Sequence, residues 1–585
     1  MITYALDQIP FSQRGSFLTI TTRNSSGSPR LLYKTCSGRI HNLHNIPYSA
    51  DEFFELSLVK DGHDVPYTWK TYPHRLDLNG ESGEQVILTF ADPDTIIFQA
   101  NNVGLRLMPS KVFPVQYSPF ENEIYVIDWF ARGIHMFRTD ENSSVQASTT
   151  PTVTGIEKHW GEFPCTITYE PKESISTFHG AIRFSRYETF WDQPMHDFGE
   201  ILSSNEKDYA KWVSKMPNVP ETYQIPAEIA WFILWNCQVP KEGALTHPSM
   251  YMSKFWMNGI WAWDNLFNAI AVIDADYQLA WNQIMLFFDY QDSNGMVPDM
   301  ISDLEPIYGF TKPPLHGWAI RKLVSRLGIK KSLPYLNTIY KPLSKLTNWW
   351  YTYRDFDLDG MPQYFHGNDS GWDNSTIFDQ GYPVEGADLG TYLVLQCECL
   401  AFIAETTGRK KAAVRWRSRA EKQLEDLLSH SVKDNHFFSP LSGHRETEAS
   451  QSLINYLPLI LGKRLPKHLR NALITDLRPG GPFLTQYGLA SEPPSSIKYI
   501  SDGYWRGPIW GGPTYLIFDG LVGSGEFELA HLIGERFCNM CLQEPGFWEN
   551  YDALTGKGLR CPGYSWTASI FLLLAEWLEK YSKQI

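Results

Sequence analysis

The sequence predicts a multidomain chain, an N-terminal antiparallel β-sandwich followed by an all-α domain, and three observations carry the prediction. Its 585 residues exceed what one hydrophobic core serves, since cores stop growing at roughly 250–300 residues. From residue 16 to about 200 the chain is made of short runs in which apolar and polar residues often alternate, the period of a strand with one buried face. Beyond about residue 225 the apolar spacing becomes helical and strand-like runs stop.

The strand candidates, in order, are SFLTITTR, RLLYKT, FFELSLV, QVILTF, TIIFQA, GLRLMP, EIYVIDWF, CTITYEP and AIRFSRYETF, bounded by Gly, Asn, Ser, Pro and Asp. Many short strands with frequent turn signals pack as a sandwich, assigned to residues 1–202. Residues 203–224 are polar and carry Pro217 and Pro220, so they are expected to connect the domains. In PAEIAWFILWNCQV, Pro226 suits the first turn of a helix whose apolar residues cover most of its surface. Ten or more helical segments follow, from LFNAIAVIDA and QLAWNQIMLFFDYQ to SWTASIFLLLAEWLEKYSK, so residues 225–585 are expected to form helical hairpins around a second core.

Composition removes several function classes. The net charge is −14, from 51 basic and 65 acidic residues without a long Lys/Arg block, which repels phosphate backbones and anionic membranes and suits a neutral substrate. The N-terminus lacks the basic start and apolar stretch of a signal peptide, and no window reaches the ~18 apolar residues of a membrane span; a soluble, cytoplasmic protein is expected. Eight scattered cysteines lack zinc-ribbon spacing and are expected as reduced, buried thiols. No nucleophile elbow, phosphate-binding loop, dinucleotide fingerprint or H-E-x-x-H motif is present. Of 21 tryptophans, sixteen fall after residue 225, and their flat faces suit both a core and a sugar ring.

The chemistry is expected in long loops of the helical part, since loops of this length inside a compact domain are usually functional. They are KFWMNGIWAWD at 254–264, YFHGNDSGWDNSTIFDQGYPVEGAD at 364–388, QYGLASEPPSSIKYISDGYWRGPIWGG at 486–512 and EPGFWENYDALTGKG at 544–558. Inverting hydrolysis of a glycosidic bond needs one carboxylic acid to protonate the leaving oxygen and a second carboxylate to activate water on the opposite face. Asp373, beside Trp372, and Glu549, between Trp548 and Asn550, sit in separate loops and suit such a pair. Taken singly, Asp373 also fits a helix cap or Asx-turn and Glu549 a surface turn.

SGWDNS at 370–375, YWRGPIW at 504–510, ENYDALTG at 549–556, YSWTA at 564–568 and WAWD at 261–264 together resemble the inverting (α/α)6-barrel glycosidases of glycoside hydrolase family 63. That group includes the processing α-glucosidase I enzymes, their bacterial relatives and the mannosylglycerate and glucosylglycerate hydrolases, with kinship to trehalases. The resemblance spans about 225–585 and implies an (α/α)6 barrel with Asp373 as general acid, Glu549 as general base and Asp264 gripping the sugar in subsite −1. It also implies that Arg506 binds substrate or holds the acid loop, and that Trp256, Trp263, Trp372, Trp505 and Trp510 shape the pocket. Asp264 also fits a helix N-cap and Arg506 a buried ion pair. The segment after the acid, NSTIFDQG, departs from its relatives, which puts the leaving-group specificity in question.

The resulting expectation is an exo-acting, inverting α-glucosidase working on a small oligosaccharide or glucoside without a cofactor. Trehalase or glucosyl/mannosylglycerate hydrolase activity is the alternative, and an inverting disaccharide phosphorylase a more distant one. RDFDLDGMPQY places Asp355, Asp357 and Asp359 before Gly360 like the start of a calcium loop, but position twelve is His366 instead of Glu. Some relatives hold calcium near this segment, so a cation there is weighed against a simple Asp/Gly turn. PPLHGW at 313–318 also resembles the family, although His316 equally suits a core histidine.

Overall fold

The computed structural model describes residues 2–25, 28–37, 52–110, 115–117, 120–128, 133–149, 165–187, 190–443 and 450–583. They form two compact units. The first comprises Met1–Ser214, Trp235–Pro240 and Lys254–Asn258, the second Lys215–Leu234, Lys241–Ser253 and Gly259–Ile585.

Within Met1–Ser214 of the first unit, fifteen strands are seen among the described residues, numbered in chain order. One sheet runs β1 (Leu18–Ser25), β2 (Ser28–Thr35), β3 (Glu52–Lys60), β9 (Gly104–Pro109), β14 (Cys165–Pro171), β13 (Ser143–Thr149), with β4 (His63–Val65) on β3. The other runs β10 (Val115–Tyr117), β11 (Glu123–Asp128), β12 (Gly133–Thr139), β15 (Thr177–Ser185), β8 (Thr95–Asn101), β7 (Gln85–Asp92), β6 (Arg75–Gly80), β5 (Tyr67–Tyr72). Pairing within both sheets is antiparallel. Alternation decides which face is core: Phe178, Ile182 and Phe184 of β15 and Ile96, Phe98 and Ala100 of β8 join Leu56, Leu58, Leu105, Leu107, Ile167 and Tyr169 from the first sheet. All nine strand candidates overlap strands, with residues 129–130 of EIYVIDWF and 188–189 of AIRFSRYETF outside the described residues, whereas YTWKTY, RLDLNG, GIHMFRT and SSVQAST form strands that the pattern did not mark.

The expected connector, 203–224, is largely ordered helix. Helix α1 (Phe198–Val213) is capped by Asp197, whose carboxylate accepts from Glu200 N at 2.8 Å. It buries Phe198, Tyr209 and Trp212, and Phe198 joins Ile97, Tyr125, Met136 and Ala181 on the outer face of the second sheet. Only three buried residues, spread among polar ones, hid the helix, and the prolines that mark a linker come only after its end.

In the second unit, twelve helical segments alternate between an outer and an inner layer among the described residues. The outer ones are α2 (Gln224–Asn236), α4 (Tyr277–Asp289), α6 (Ile329–Tyr353), α9 (Lys410–His430), α10 (Lys467–Asp476) and α12 (Phe527–Gln543). The inner ones are α3 (Asp264–Val272), α5 (His316–Leu327), α8 (Ala387–Thr406), a 3₁₀ segment at Leu453–Arg464, α11 (Gly511–Ser524) and α13 (Ser565–Ser582); α7 (Gly367–Ser370) is a single turn in a loop. Each inner segment touches the next, and α13 closes on α3, which makes an (α/α)6 barrel. The inner helix α8 is apolar nearly all round: sixteen of its residues are buried, against six of the charged α9 outside it. By length and composition α8 is apolar enough to cross a membrane, contrary to the expectation that no segment would be, yet 89% of that stretch is buried within the protein. All eight cysteines are buried thiols.

Alternation of layers makes the inner helices run the same way, so every loop that leads into one opens at the same end of the barrel. WAWD precedes α3, residues 311–315 precede α5, SGWDNS precedes α8, YWRGPIW precedes α11 and ENYDALTG precedes α13. That end also gathers the positive poles of the inner helices, a favourable place for carboxylates.

Candidate active site

Asp264 is the first residue of α3 and is 5% exposed. It caps nothing, because the N-cap residue is Trp263 and no side chain caps this helix. Burial pushes its carboxyl up to about 8; Lys312 pulls it down, and the charges of Glu549 and Asp373 push it further up. Glu549, 3% exposed, is raised to about 7, first by burial. Arg560, the Tyr504 hydroxyl and a Cys561 backbone N–H oppose that rise, and Asp373 adds to it. Three carboxyl groups from three loops, 264, 373 and 549, thus share one electrostatic neighbourhood.

The Glu549 end is built by a short hairpin, Asn550–Tyr551 against Gly558–Leu559. Tyr504 donates its hydroxyl to Glu549 Oε1 at 3.3 Å, and Arg560 lies 4.8 Å from the centre of the Tyr504 ring while pairing with Asp502 at 2.8 Å. Tyr504, Phe547 and Arg560 all take left-handed φ, 63°, 47° and 67°, a conformation costly for bulky side chains that clusters at functional sites. Glu549 Oε2 and both polar atoms of Asn550 are buried without a protein partner, so they retain hydrogen-bonding capacity toward a ligand.

The Asp373 end is a loop tied by its neighbours. Asp373 is half-buried. Asn374 donates to Gly503 O at 3.0 Å and accepts from Trp505 N at 3.0 Å, so its side chain joins the two loops. Arg506 donates to Asn374 O at 2.7 Å and pairs with Asp379, which also binds Lys498 at 2.9 Å. Arg506 thereby ties the backbone of the loop that carries Asp373 to the ion pair with Asp379, 26% exposed, where a buried one was weighed. Gly367 and Gly371 allow the close approach: a Cβ on the first would lie 1.9 Å from Asp373 O, and one on the second, where φ is +72°, 2.5 Å from Trp263. Behind the loop, Asp369 pairs with Arg354 at 2.6 Å and accepts from Thr311 N and Phe365 N.

The tryptophans meet mostly one another. Trp505 stacks on Trp510 at 3.8 Å and 5°, Trp372 lies 4.6 Å from Trp505, and Trp263 packs at 5.0 Å on Trp566. Trp263, Trp372, Trp505 and Trp510 are at most 2% exposed, so they form a packed aromatic cluster instead of open sugar platforms; rings this large bury most area by covering each other. Trp256 is half-buried in Lys254–Asn258, which belongs to the other compact unit.

Sequence reasoning missed Lys312, Asp299, Tyr504 and Arg560. Lys312 stands one residue before PPLHGW, and its lone charge in an apolar, Pro-rich stretch was the available signal. His316 is buried against Phe288 at 5.3 Å, its pKa lowered to about 4 by burial, with both ring nitrogens unpartnered.

The acidic oxygens of Asp355, Asp357 and Asp359 lie within 4.8 Å of one another. Most are engaged: Asp355 Oδ2 accepts from Gly360 N, Asp359 Oδ1 from Met361 N, Asp357 from Gln363 and Ser442, and His430 lies 3.1 Å from Asp359 Oδ2. Asp355 Oδ1 alone is buried without a partner. The donors fit an Asp/Gly turn in full and a calcium ion only in part.

Residues 257–567 match the family model of the mannosylglycerate hydrolase MGH1-like glycoside hydrolase domain. The mannosylglycerate hydrolase of Thermus thermophilus is 24% identical over 57% of this chain and 96% of its own length. The glucosylglycerate hydrolase of Mycolicibacterium hassiacum is 22% identical over 54% and 91%. A bacterial glucoamylase complexed with acarbose superposes with a TM-score of 0.60 over 99% of this chain and 95% of its own, at 13% identity, a likeness of fold. With its barrel matched across more than half of the sequence, the chain belongs to the mannosylglycerate hydrolase MGH1-like glycoside hydrolases of family 63.

Proposed function

We propose that the chain hydrolyses a terminal α-glucosidic bond of a small oligosaccharide or glucoside with inversion, Asp373 as general acid and Glu549 as general base. The observation that carries this reading is the mutual influence of Asp264, Asp373 and Glu549 at the loop end of the barrel. A base works best with a pKa near the operating pH, and burial raises Glu549 to about 7. Its free Oε2 is suited to take a proton from water while Tyr504 steadies Oε1. Asp373, half-buried on its tied loop, protonates the leaving oxygen from the opposite face. Asp264 grips sugar hydroxyls with hydrogen bonds.

Release of hexose from a glycerate glycoside is the second reading. It is favoured by the relatives' names and by Arg506 and Lys498, which converge on Asp379 beside the acid loop.

Proton NMR in the first minutes of hydrolysis of maltose, isomaltose, trehalose, glucosylglycerate and mannosylglycerate tests both readings. β-Glucose released first from a glucoside, without phosphate, supports inversion. α-Glucose first, or a phosphate requirement, overturns it, and release from the two glycerate glycosides alone selects the second reading.

A further inference from the structure

We propose that Lys312 is a positioning residue for the hydrolysis, its buried ammonium clamping the acid loop through Asn368 O and supplying the counter-charge for Asp264, Asp299 and Asp373. The inference rests on the reading of Asp373 and Glu549 given above.

Lys312 lies between the loop at Asp299 and the start of α5, with its side chain 6% exposed. Its Nζ is 3.0 Å from Asp299 Oδ1 and donates to Asn368 O at 2.7 Å. Asn368 belongs to α7, the single turn that leads directly into Trp372 and Asp373, so the bond reaches the acid loop itself. A buried ammonium without anions is costly, and so are three neighbouring carboxylates without a cation. Lys312 accordingly feels burial pulling its pKa down and Asp299, Asp373 and Asp264 raising it above its ordinary value.

The charged and titratable groups facing this cluster are few. Asp264 faces Lys312, Glu549 and Asp373. Asp299 faces Lys312, Asp373 and Asp369, the last neutralised by Arg354. Glu549 faces Arg560, Tyr504 and Asp373, and Tyr564 faces Glu549 and Asp264. Arg560 answers the base, whereas Lys312 answers the other three carboxyl groups. The same ammonium therefore couples loop position to charge: a loop that swings out removes Asn368 O from Nζ and Asp373 from its counter-ion together.

The test compares Lys312→Met, which keeps bulk without charge, with Lys312→Arg, which keeps charge and donors. Steady-state kinetics are followed from pH 5 to 9 on the best substrate of the panel, beside Asp373→Asn, Glu549→Gln and thermal melts. We expect Lys312→Met to lower kcat by about 100-fold, the effect of an acid displaced by roughly an ångström. Its pH profile should also move to higher pH, because Asp264 loses the ammonium that lowers its pKa. Lys312→Arg should recover most of kcat and the original profile.

A Lys312→Met enzyme within threefold of the parent at every pH overturns the proposal. So does equal impairment of both variants with unshifted profiles and a lowered Tm, which marks a purely structural lysine. If Asp373→Asn and Glu549→Gln retain activity, the reading beneath the proposal fails instead.

Discussion

The two ends of the site are held in opposite ways. At Glu549 the carboxylate is buried on a hairpin, answered by Tyr504 and Arg560, with three residues in left-handed backbone around it. At Asp373 the carboxyl is half-buried on a loop whose position comes from outside it, through Asn374, Arg506, Lys312 and two glycines. Glu549 is thus governed by its dielectric surroundings and Asp373 by its tethers. The two ends should fail differently.

The largest effect is expected from the carboxyl groups. Asp373→Asn and Glu549→Gln should each lower kcat by ~10²–10⁴-fold on a natural glycoside. A glycosyl fluoride, whose leaving group needs no proton, should restore turnover to Asp373→Asn alone; equal rescue of both variants would erase the assigned difference between the ends.

Next comes the tether. Arg506→Ala should lower kcat by roughly 10–100-fold through the displaced acid loop, with Glu549's acidic limb unmoved. A shift of that limb in this variant would show that the ends are not independent.

The base end should instead answer to pH. Glu549 works ionised, so kcat/KM should climb as pH rises through about 7. Tyr504→Phe removes a hydrogen bond that lowers Glu549's pKa, so the climb should move to higher pH, by about half a unit to one unit. An unchanged limb would mean that Tyr504 does not govern the base.

Smallest is the stability effect of Asp264. With a pKa near 8 in the fold and about 4 in the unfolded chain, native Asp264 holds a proton that the unfolded chain has released between those pH values. Stability from this group is therefore intact below about pH 4 and is lost as pH rises toward 8. Asp264→Asn should raise Tm by several degrees at pH 8 and hardly at all at pH 5, while impairing sugar binding. An equal gain at both pH values would remove burial of the charge as its cause.

Much of the architecture was legible because it is periodic. Alternation marked β3, β8 and β15, but β5 and β6 escaped: YTWKTY and RLDLNG carry few apolar residues in a clean alternation. The helix α1 escaped because its three buried residues are spread among charges. The loops carrying Asp264, Asp373 and Glu549 were readable as words, being dense in Trp, Gly and Asp. Their tryptophans were not readable as open or covered, since the stacking of Trp505 on Trp510 depends on how the loop around 504–510 turns.

What the sequence determined by itself is the order of layers and the residue types that enter the loops, because hydrophobic period and turn chemistry are local properties. That was enough to expect a β-sandwich followed by helical hairpins and to put each reactive word in a loop between helices. What tertiary structure decided is which charges meet. Lys312 is one lysine among the basic residues of the chain until folding places it against Asp299 and Asn368, and Glu549 becomes a group titrating near 7 only through burial beside Tyr504 and Asp373. Charge energies depend on distance and on exclusion of water, and neither is written in the neighbours along the chain.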